Sequence, residues 1–481
     1  MLIKNVLFDL NNVIENYKAY KTKIPKIIHR VLKDSGFHID PNIQEKVNKE
    51  YNFLSGLLES TYIQHYPFFW EVLIKNVYNK KLDINQIRKI YSNYVQQYAS
   101  EIEMYNDTKG ILKYLKQRYR LGIIANGDSE RIRKFLQKKQ ILKYFDTIVT
   151  SGNTPYSKPD RQLFNLALYG LKANPVNSIM VGDRLDSDVF GANRVGIWSV
   201  RIQRSRDRNQ NPIYTLEDPE LKVPDYTINK LTDLKTLTIL SQETVLRQAV
   251  LLSGGKGTRM GKCTENTQKC AIKYKNIPII CRPVQAILNN DIKNLCFITF
   301  FKKSDIYKLI KKGIAYNAKT QIFDTGEKTT GDALYHIKDF LDDWFIYCHG
   351  DIIFDSVLLT QAIKRFYKNG CKKPVVCITK NPIAPTHPVI DLQNDIIRVV
   401  RGEKVHQLGK KQFYSIGLSI LSKKIFFITS REKSSELMTE EYLSGMKKNS
   451  IELLEYNERW LHFCTEDDLY QRDINSETAK E

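Results

Sequence analysis

The chain has 481 residues, 42% of them hydrophobic, and a formal net charge of +21 from 74 Lys and Arg against 53 Asp and Glu. That length asks for two or three domains, and the apolar content excludes a wholly disordered chain. The basic excess is spread along the sequence without a basic tail or arginine-rich block, so it describes a lysine-rich solvated surface that favours phosphorylated substrates, not a nucleic-acid binder.

No run of eighteen apolar residues occurs, and Met1-Leu2-Ile3-Lys4 passes straight into a strand-like run. The expectation is a cytoplasmic protein with neither signal peptide nor membrane association. All eight cysteines follow residue 260 and none forms a CxxC pair. That scatter predicts reduced thiols, not a zinc site or a disulfide framework.

Residues 3–10 read as a buried strand that delivers Asp9, with Asn11 two positions on. Open α/β sheets place their chemistry at such strand ends. From Tyr17 to about Ile102 the periodicity is helical, divided by turn signals at Asp40-Pro41 and Asn79-Lys80-Lys81. It predicts a helical insert at about 16–102, with Tyr66, Phe68, Phe69 and Trp70 as its core. Strands are then expected at 121–124, 147–149 and 178–181, separated by helices at 130–139 and from Gln162, after a helix at 111–115. This alternation predicts a doubly wound parallel sheet. Four strand ends carry polar groups: Asp9, Asn126, Lys158, and Asp183 with Asp188. Asp9 and Asp183 are candidate oxygen ligands for Mg²⁺. Lys158 is placed to neutralise a phosphate and orient an attacking carboxylate. Residues 204–212 read as a polar loop, 224–228 as a last short strand and 231–240 as helical, with a boundary at 241–247.

These residues resemble the haloacid dehalogenase superfamily of hydrolases, with a helical cap inserted after the first strand. The motif positions fall on Asp9, on Ala125, on Lys158 in SKPD, and on Asp183 and Asp188 in GDRLDSD. The resemblance implies that Asp9 is a nucleophile that becomes phosphorylated. It implies a Mg²⁺ on Asp9, Asp183 and the backbone carbonyl of Asn11, with Asn126 at the substrate. Two positions depart from the pattern. Asn11 stands where such phosphatases usually have Asp, and an amide cannot shuttle a proton. Ala125 stands where Ser or Thr would donate to the phosphate.

A new strand begins in the second half with Ala249-Val250-Leu251-Leu252 and breaks into Ser253-Gly254-Gly255-Lys256-Gly257-Thr258-Arg259. Glycines there let backbone N–H groups approach a phosphate, and Arg259 and Lys269 supply positive charge. No Gly-Lys-Ser/Thr follows at Walker spacing. A strand is expected at 295–300, a helix at 304–311, and a buried strand at 344–349 running into Gly350-Asp351. The strings GGKGTRM, TENTQK and NIPII resemble the opening of sugar-1-phosphate nucleotidyltransferases, with Gln268 where that family usually has Pro. Thr329-Thr330-Gly331, Glu403-Lys404, Ser415-Ile416-Gly417 and residues 460–469 match later family segments in the right order.

The resemblance implies that Gly254, Gly255, Gly257 and Thr258 cradle the triphosphate and that Arg259 and Lys269 stabilise its charge. Thr330 and Gly331 would lie near the base, Asp351 would hold Mg²⁺, and Glu403, Lys404 and Gly417 would meet the sugar phosphate. The family's second metal-binding Asp falls on His462, expected to be a packed, non-ligating residue. Asp351 would then act alone or with a neighbour such as Asp467.

The expected architecture is α/β, with two doubly wound domains: a haloacid dehalogenase (HAD)-like Rossmannoid core with helical cap at 1–242, a Rossmann-like nucleotidyltransferase domain at 243–475, and a polar tail at 476–481. The expected function is bifunctional: nucleotidyl transfer from an NTP to a sugar or polyol phosphate with release of pyrophosphate, together with a phosphatase. The alternative keeps the transferase and makes the first domain a degenerate binding or regulatory module. Substrates are then an NTP and a sugar phosphate, with no nucleic acid or membrane partner and oligomerisation left open.

Overall fold

The computed structural model describes residues 2–61, 66–204, 219–380, 388–393, 396–400, 409–428, 439–456, 458 and 460–469. The chain divides into two compact units, Met1–Glu243 and Thr244–Glu481. Among the described residues no helix is long and apolar enough to cross a membrane.

Unit 1 opens with β1 (Asn5–Phe8), buried at all four positions, as befits a strand covered on both faces. Four helices follow: α1 (Tyr17–Asp34), α2 (Pro41–Thr61), α3 (Tyr66–Tyr78) and α4 (Ile84–Glu101). The last begins on a capping box, in which the Asp83 carboxylate accepts from Asn85 N at 2.8 Å and Gln86 N at 2.9 Å while Gln86 Oε1 accepts from Asp83 N. Alternation resumes with α5 (Thr108–Lys116), β2 (Arg120–Ala125), α6 (Ser129–Lys138), β3 (Thr147–Thr150), α7 (Arg161–Leu171), β4 (Ser178–Gly182), α8 (Phe190–Arg194), β5 (Trp198–Ile202), β6 (Tyr226–Ile228) and α9 (Thr238–Ser241). The sheet order is β3-β2-β1-β4-β5-β6, and every pairing is parallel. β5 has no counterpart in the sequence expectation; Ser199 and Arg201 interrupt its apolar run. Residues 205–212 of the expected polar loop lie outside the described residues.

The helical insert packs around aromatics, though not all four that were expected. Trp70 is fully buried against Tyr94, and Phe69 is buried beside it. Phe68 is instead 60% exposed. The inward face of α3 takes Phe69, Trp70, Leu73 and Ile74, and the helical period turns position 68 away from it. The side chain of Tyr66 lies outside the described residues.

Unit 2 contains β7 (Gln248–Leu252), β8 (Lys273–Tyr274), β9 (Ile277–Pro278), α10 (Cys281–Asn289), β10 (Asn294–Thr299), α11 (Lys303–Lys311), β11 (Lys319–Asp324), α12 (Thr330–His336) and β12 (Trp344–His349). It continues with β13 (Ile352–Ile353), α13 (Ser356–Lys368), β14 (Val375–Thr379), β15 (Val389–Gln393), β16 (Ile396–Val400), β17 (Gln412–Ser422), α14 (Ile425–Ile428), β18 (Glu452–Glu455) and β19 (Leu461–His462). Its main sheet runs β11-β10-β7-β12-β17-β14-β18. The first four strands are parallel, but β17 is antiparallel to both β12 and β14, so this sheet is mixed. All eight cysteines are free thiols.

Candidate active sites

In unit 1, Asp9 follows β1 and Asp183 follows β4, the neighbouring strand. The Asp9 backbone N–H donates to Val181 O at 2.9 Å, which carries the β1–β4 ladder up to the site. Lys158 Nζ lies 2.6 Å from Asp9 Oδ1 and 2.6 Å from Asp188 Oδ1. All four of these side chains are buried. Asp188 is fixed in turn, accepting from Arg184 N at 3.0 Å. Burial, then Asp188 and Asp183, raise the pKa of Asp9 to about 7 against the opposing pull of Lys158. Burial disfavours the Lys158 cation, but Asp188 and Asp9 outweigh it and push that pKa up.

Asn126 does not present its amide to this cluster in the expected way. Its Oδ1 accepts from Lys158 N at 2.8 Å and its Nδ2 donates to Lys158 O at 3.1 Å, so it holds the backbone that carries the lysine. Asn12, which the sequence reading passed over, donates from Nδ2 to Asp183 Oδ2 at 2.9 Å and accepts from the Tyr105 hydroxyl at 2.7 Å. Only its place three residues after Asp9 could have suggested it. Asn11 Oδ1 is buried without a hydrogen-bond partner among the described residues. Ala125, at the end of β2, is buried and brings no donor.

The fold implies a divalent cation here, and the donors fit one. Asp9, Asp183 and Asp188 offer carboxylate oxygens within 4.8 Å of one another, three anions against the single ammonium of Lys158. An all-oxygen, anion-rich set suits a hard cation such as Mg²⁺.

In unit 2 the loop after β7 is tied down by Ser253, whose N and Oγ both donate to Ile298 O at 2.8 and 3.0 Å. Gly257 lies at φ +65°, in the left-handed region that glycine enters without strain. Gln268, which stands where the resembled family usually has Pro, is fully buried. Its Nε2 donates to Ser253 O at 2.6 Å and its Oε1 accepts from Cys270 N at 2.5 Å, so the side chain bolts the glycine loop to the Lys269 segment.

Lys269 Nζ sits 2.6 Å from Asp351 Oδ2. The short β19 pairs antiparallel with β13, the strand immediately after Asp351, and this sets His462 opposite Ile352. His462 Nε2 is therefore 3.3 Å from the same Asp351 oxygen, and its Nδ1 is 3.0 Å from Cys464 Sγ. Burial pushes the Asp351 carboxyl up, but Lys269 and then His462 outweigh it and hold it well below the carboxylate range. Burial lowers His462, yet Asp351 prevails and its pKa rises to about 9. Burial raises Cys464, but the His462 hydrogen bond and charge bring it below the ordinary thiol value.

Gly254, Gly255, Gly257, Thr258, Arg259, Lys269, Thr330, Asp351 and His462 all line one cavity of about 680 Å³. Gly331 is buried instead, its carbonyl accepting from the Tyr442 hydroxyl at 3.1 Å. Gly417 packs against the ring of His349, where an added Cβ would come within 2.8 Å. Glu403 and Lys404 lie outside the described residues. Among the described residues the ligand cluster at Asp351 comprises His349 and His462, not Asp467. An imidazole-rich set does not fit Mg²⁺, which demands oxygen ligands.

Residues 6–202 match the family model of haloacid dehalogenase-like hydrolases, and residues 248–472 match that of nucleotidyl transferases. The chain is a fusion of these two enzyme families. A glyceraldehyde 3-phosphate phosphatase of Methanocaldococcus jannaschii is 29% identical over 240 residues, which is 48% of this chain and 96% of that protein. The N-acylneuraminate-9-phosphatase of Homo sapiens is 25% identical over 248 residues, 49% of this chain and 93% of that one. The bifunctional protein GlmU of M. jannaschii is 29% identical over 214 residues, 42% of this chain but only 49% of its own length.

Proposed function

We propose that the chain is a bifunctional enzyme of nucleotide-sugar formation. Unit 2 transfers a nucleotidyl group from an NTP to a sugar or polyol phosphate: the acceptor phosphate oxygen bonds to the α-phosphorus, and the α–β bridge breaks to release pyrophosphate. The observation that carries this is the lining of one cavity by the glycine loop, Arg259, Lys269 and Asp351. Thr330 and Gly331 start α12 and are assigned to the nucleotide, and the family resemblance assigns Glu403, Lys404 and Gly417 to the acceptor. Fixed cations spare solvent reorganisation as charge shifts onto pyrophosphate.

Unit 1 is the phosphatase partner. Asp9 attacks phosphorus, the ester P–O bond breaks, an acyl phosphate forms on Asp9, and the alcohol leaves with a proton taken from water, since Asn11 has none to give. Lys158 orients Asp9 and, with Asp188 holding it, stays charged beside the phosphate. Asp9, Asp183 and the Asn11 carbonyl would hold Mg²⁺, which supplies charge neutralisation when bound. Release of phosphate then needs a base for water, and Asn11 is not one. A second reading follows from that residue: unit 1 stalls as the phosphorylated form and serves as a binding or regulatory module. The relatives named for phosphate esters of glyceraldehyde and of a sugar acid support the first reading.

The domain limits belong to the same proposal: 1–242 for the hydrolase, with its cap at 16–102, and 243–475 for the transferase, followed by the tail 476–481. The partners are NTP and sugar phosphate in the cytoplasm. Incubation with each NTP and a panel of phosphorylated sugars, assaying pyrophosphate and free phosphate separately, tests both halves. Pyrophosphate that appears only with NTP and acceptor together supports the transferase; none with any pair defeats it.

A further inference from the structure

The imidazoles at the transferase centre are organised as ligands usually are. His349 and His462 each offer a ring nitrogen, and Asp351 a carboxylate oxygen, within 4.8 Å of one another. All three line the cavity that the nucleotide reading assigns to substrate. Each ring is also held from a second side. The Tyr347 hydroxyl lies 2.8 Å from His349 Nε2, and Cys464 Sγ lies 3.0 Å from His462 Nδ1. Trp460 stacks at 11° to the plane of His462, and Gly417 lets the backbone approach the ring of His349 closely. Ligating histidines characteristically have their other nitrogen anchored in this way, which fixes ring orientation and basicity.

We propose that His349, Asp351 and His462 form a two-histidine, one-carboxylate site for a divalent transition ion of the Zn²⁺ and Co²⁺ class, and that this ion, not Mg²⁺, serves the nucleotidyl transfer centre. Imidazole selects such ions, whereas carboxylate, carbonyl and water select Mg²⁺. Three protein ligands facing a cavity also leave coordination positions for substrate oxygens, as in catalytic rather than structural sites. Lys269 shares Asp351 Oδ2 with His462. With an ion held there, Asp351 would serve as its ligand, and Lys269, which lines the same cavity, would be available to the phosphates. The contrast with unit 1 is chemical: its cluster is all carboxylate, so the two halves of one chain select different metals. The catalytic consequence rests on the transferase reading above; the metal site itself does not.

Metal-free full-length protein carrying Asp183→Asn, which disables the carboxylate cluster of unit 1, is titrated with Co²⁺ and followed by its visible absorption. One nitrogen-ligated Co²⁺ per chain is expected, displaced by Zn²⁺ and not by a large excess of Mg²⁺. His349→Gln and His462→Gln should each weaken Co²⁺ by at least about tenfold, since loss of an outer-shell partner alone costs about 10–100-fold. His462→Asp should shift preference toward Mg²⁺. Thermal melting confirms that each variant is folded, and Asp9→Asn replaces Asp183→Asn if the latter melts early. Mg²⁺ that competes as well as Zn²⁺, or Co²⁺ affinity unchanged in both histidine variants, overturns the proposal. Absence of pyrophosphate release with every metal defeats the transferase reading, while the Co²⁺ titration still decides the site. Transfer that runs on Mg²⁺ without Co²⁺ binding keeps the transferase and defeats this inference.

Discussion

The strand order β3-β2-β1-β4 of unit 1 is repeated in unit 2 as β11-β10-β7-β12. In both, the order reverses beside the first strand, and the site gathers at the carboxyl ends there. Unit 1 puts its nucleophile candidate Asp9 on the first strand and Asp183 on the fourth position. Unit 2 puts the glycine loop on the first strand and Asp351 on the fourth, so Asp351 is the topological counterpart of Asp183. Each unit also sets a lysine 2.6 Å from an aspartate, Lys158 on Asp9 and Lys269 on Asp351. The surroundings then diverge. Burial and two further carboxylates raise Asp9 to about 7, whereas Lys269 and His462 hold Asp351 well below the carboxylate range despite burial. Topology delivers the ion pair; the neighbours decide whether its carboxylate is to react or to organise charge.

The sharpest way to test the unit 1 side is to restore its missing acid. On the phosphatase reading proposed above, an activated phosphate ester would phosphorylate Asp9, and with Asn11 in place the adduct would lack a base for its hydrolysis. Asn11→Asp should accelerate phosphate release by about 10²–10⁴-fold, the usual worth of a positioned general acid–base group. Intact mass should show an Asp9 phosphoryl adduct in the native chain that no longer accumulates in the variant. If neither protein shows an adduct or turnover, unit 1 is a scaffold.

Next in size is the unit 2 counterpart. Asp351→Ala should lower pyrophosphate release by at least about 10²–10³-fold, the scale of one electrostatic group in a transfer site. Phosphate chemistry in unit 1 should be unaffected. Equal loss in both activities would mean that the two sites are not independent, and unchanged pyrophosphate release would remove Asp351 from the centre.

The ion pairs show what the sequence makes legible. Asp9, Asp183 and Asp351 could be named because each follows an apolar run, and Lys158 and Lys269 because each sits in a short motif string, SKPD and TENTQK; both kinds of pattern are local. The cap was legible as helices, yet Phe68 was misplaced because a cluster of aromatics does not disclose its helical phase without the partner surface. His462 was expected to be a bland packed residue. Its position beside Asp351 depends on a two-residue strand pairing more than a hundred positions away in sequence, and no local signal marks that. Gln268 departs from the family's usual Pro; its hydrogen bonds to Ser253 O in the glycine loop and from Cys270 N are visible only in three dimensions.

Gly417 tests how tightly the imidazole side of unit 2 is built. It lies at φ +81° in β17, where the register with β14 shifts between Val376 and Ile378, and an added Cβ would come within 2.8 Å of His349 Cγ. Gly417→Ala should cost about 1–3 kcal/mol from backbone strain, and it should displace the His349 ring. The expected outcome is a lower melting temperature together with reduced pyrophosphate release, and no change in unit 1 activity. A variant as stable and active as the parent would show that the ring is not held from this side.

The smallest effect is expected in unit 1, where the segment after Asp9 is tied to the helical insert. Asn12 N donates to Glu15 O at 3.0 Å, and the buried Glu15 carboxylate accepts from the Tyr98 hydroxyl of α4 at 2.8 Å. Arg131 of α6 lies over the Tyr98 ring at 4.5 Å and 3.8 Å from Glu15. Tyr98→Phe keeps the ring and its cation but removes the donor, leaving Glu15 with Arg131 beside it. The cost should be about 1 kcal/mol, the net worth of one hydrogen bond whose acceptor keeps another partner. Because Asn12 also holds Asp183, a loosened Glu15 should slow phosphorylation of Asp9 modestly as well as lowering stability. Pyrophosphate release should not move. A melt that is unchanged while phosphorylation slows would place Tyr98 at the substrate instead of the latch; a change in neither would mean that the cap is held by its apolar core alone.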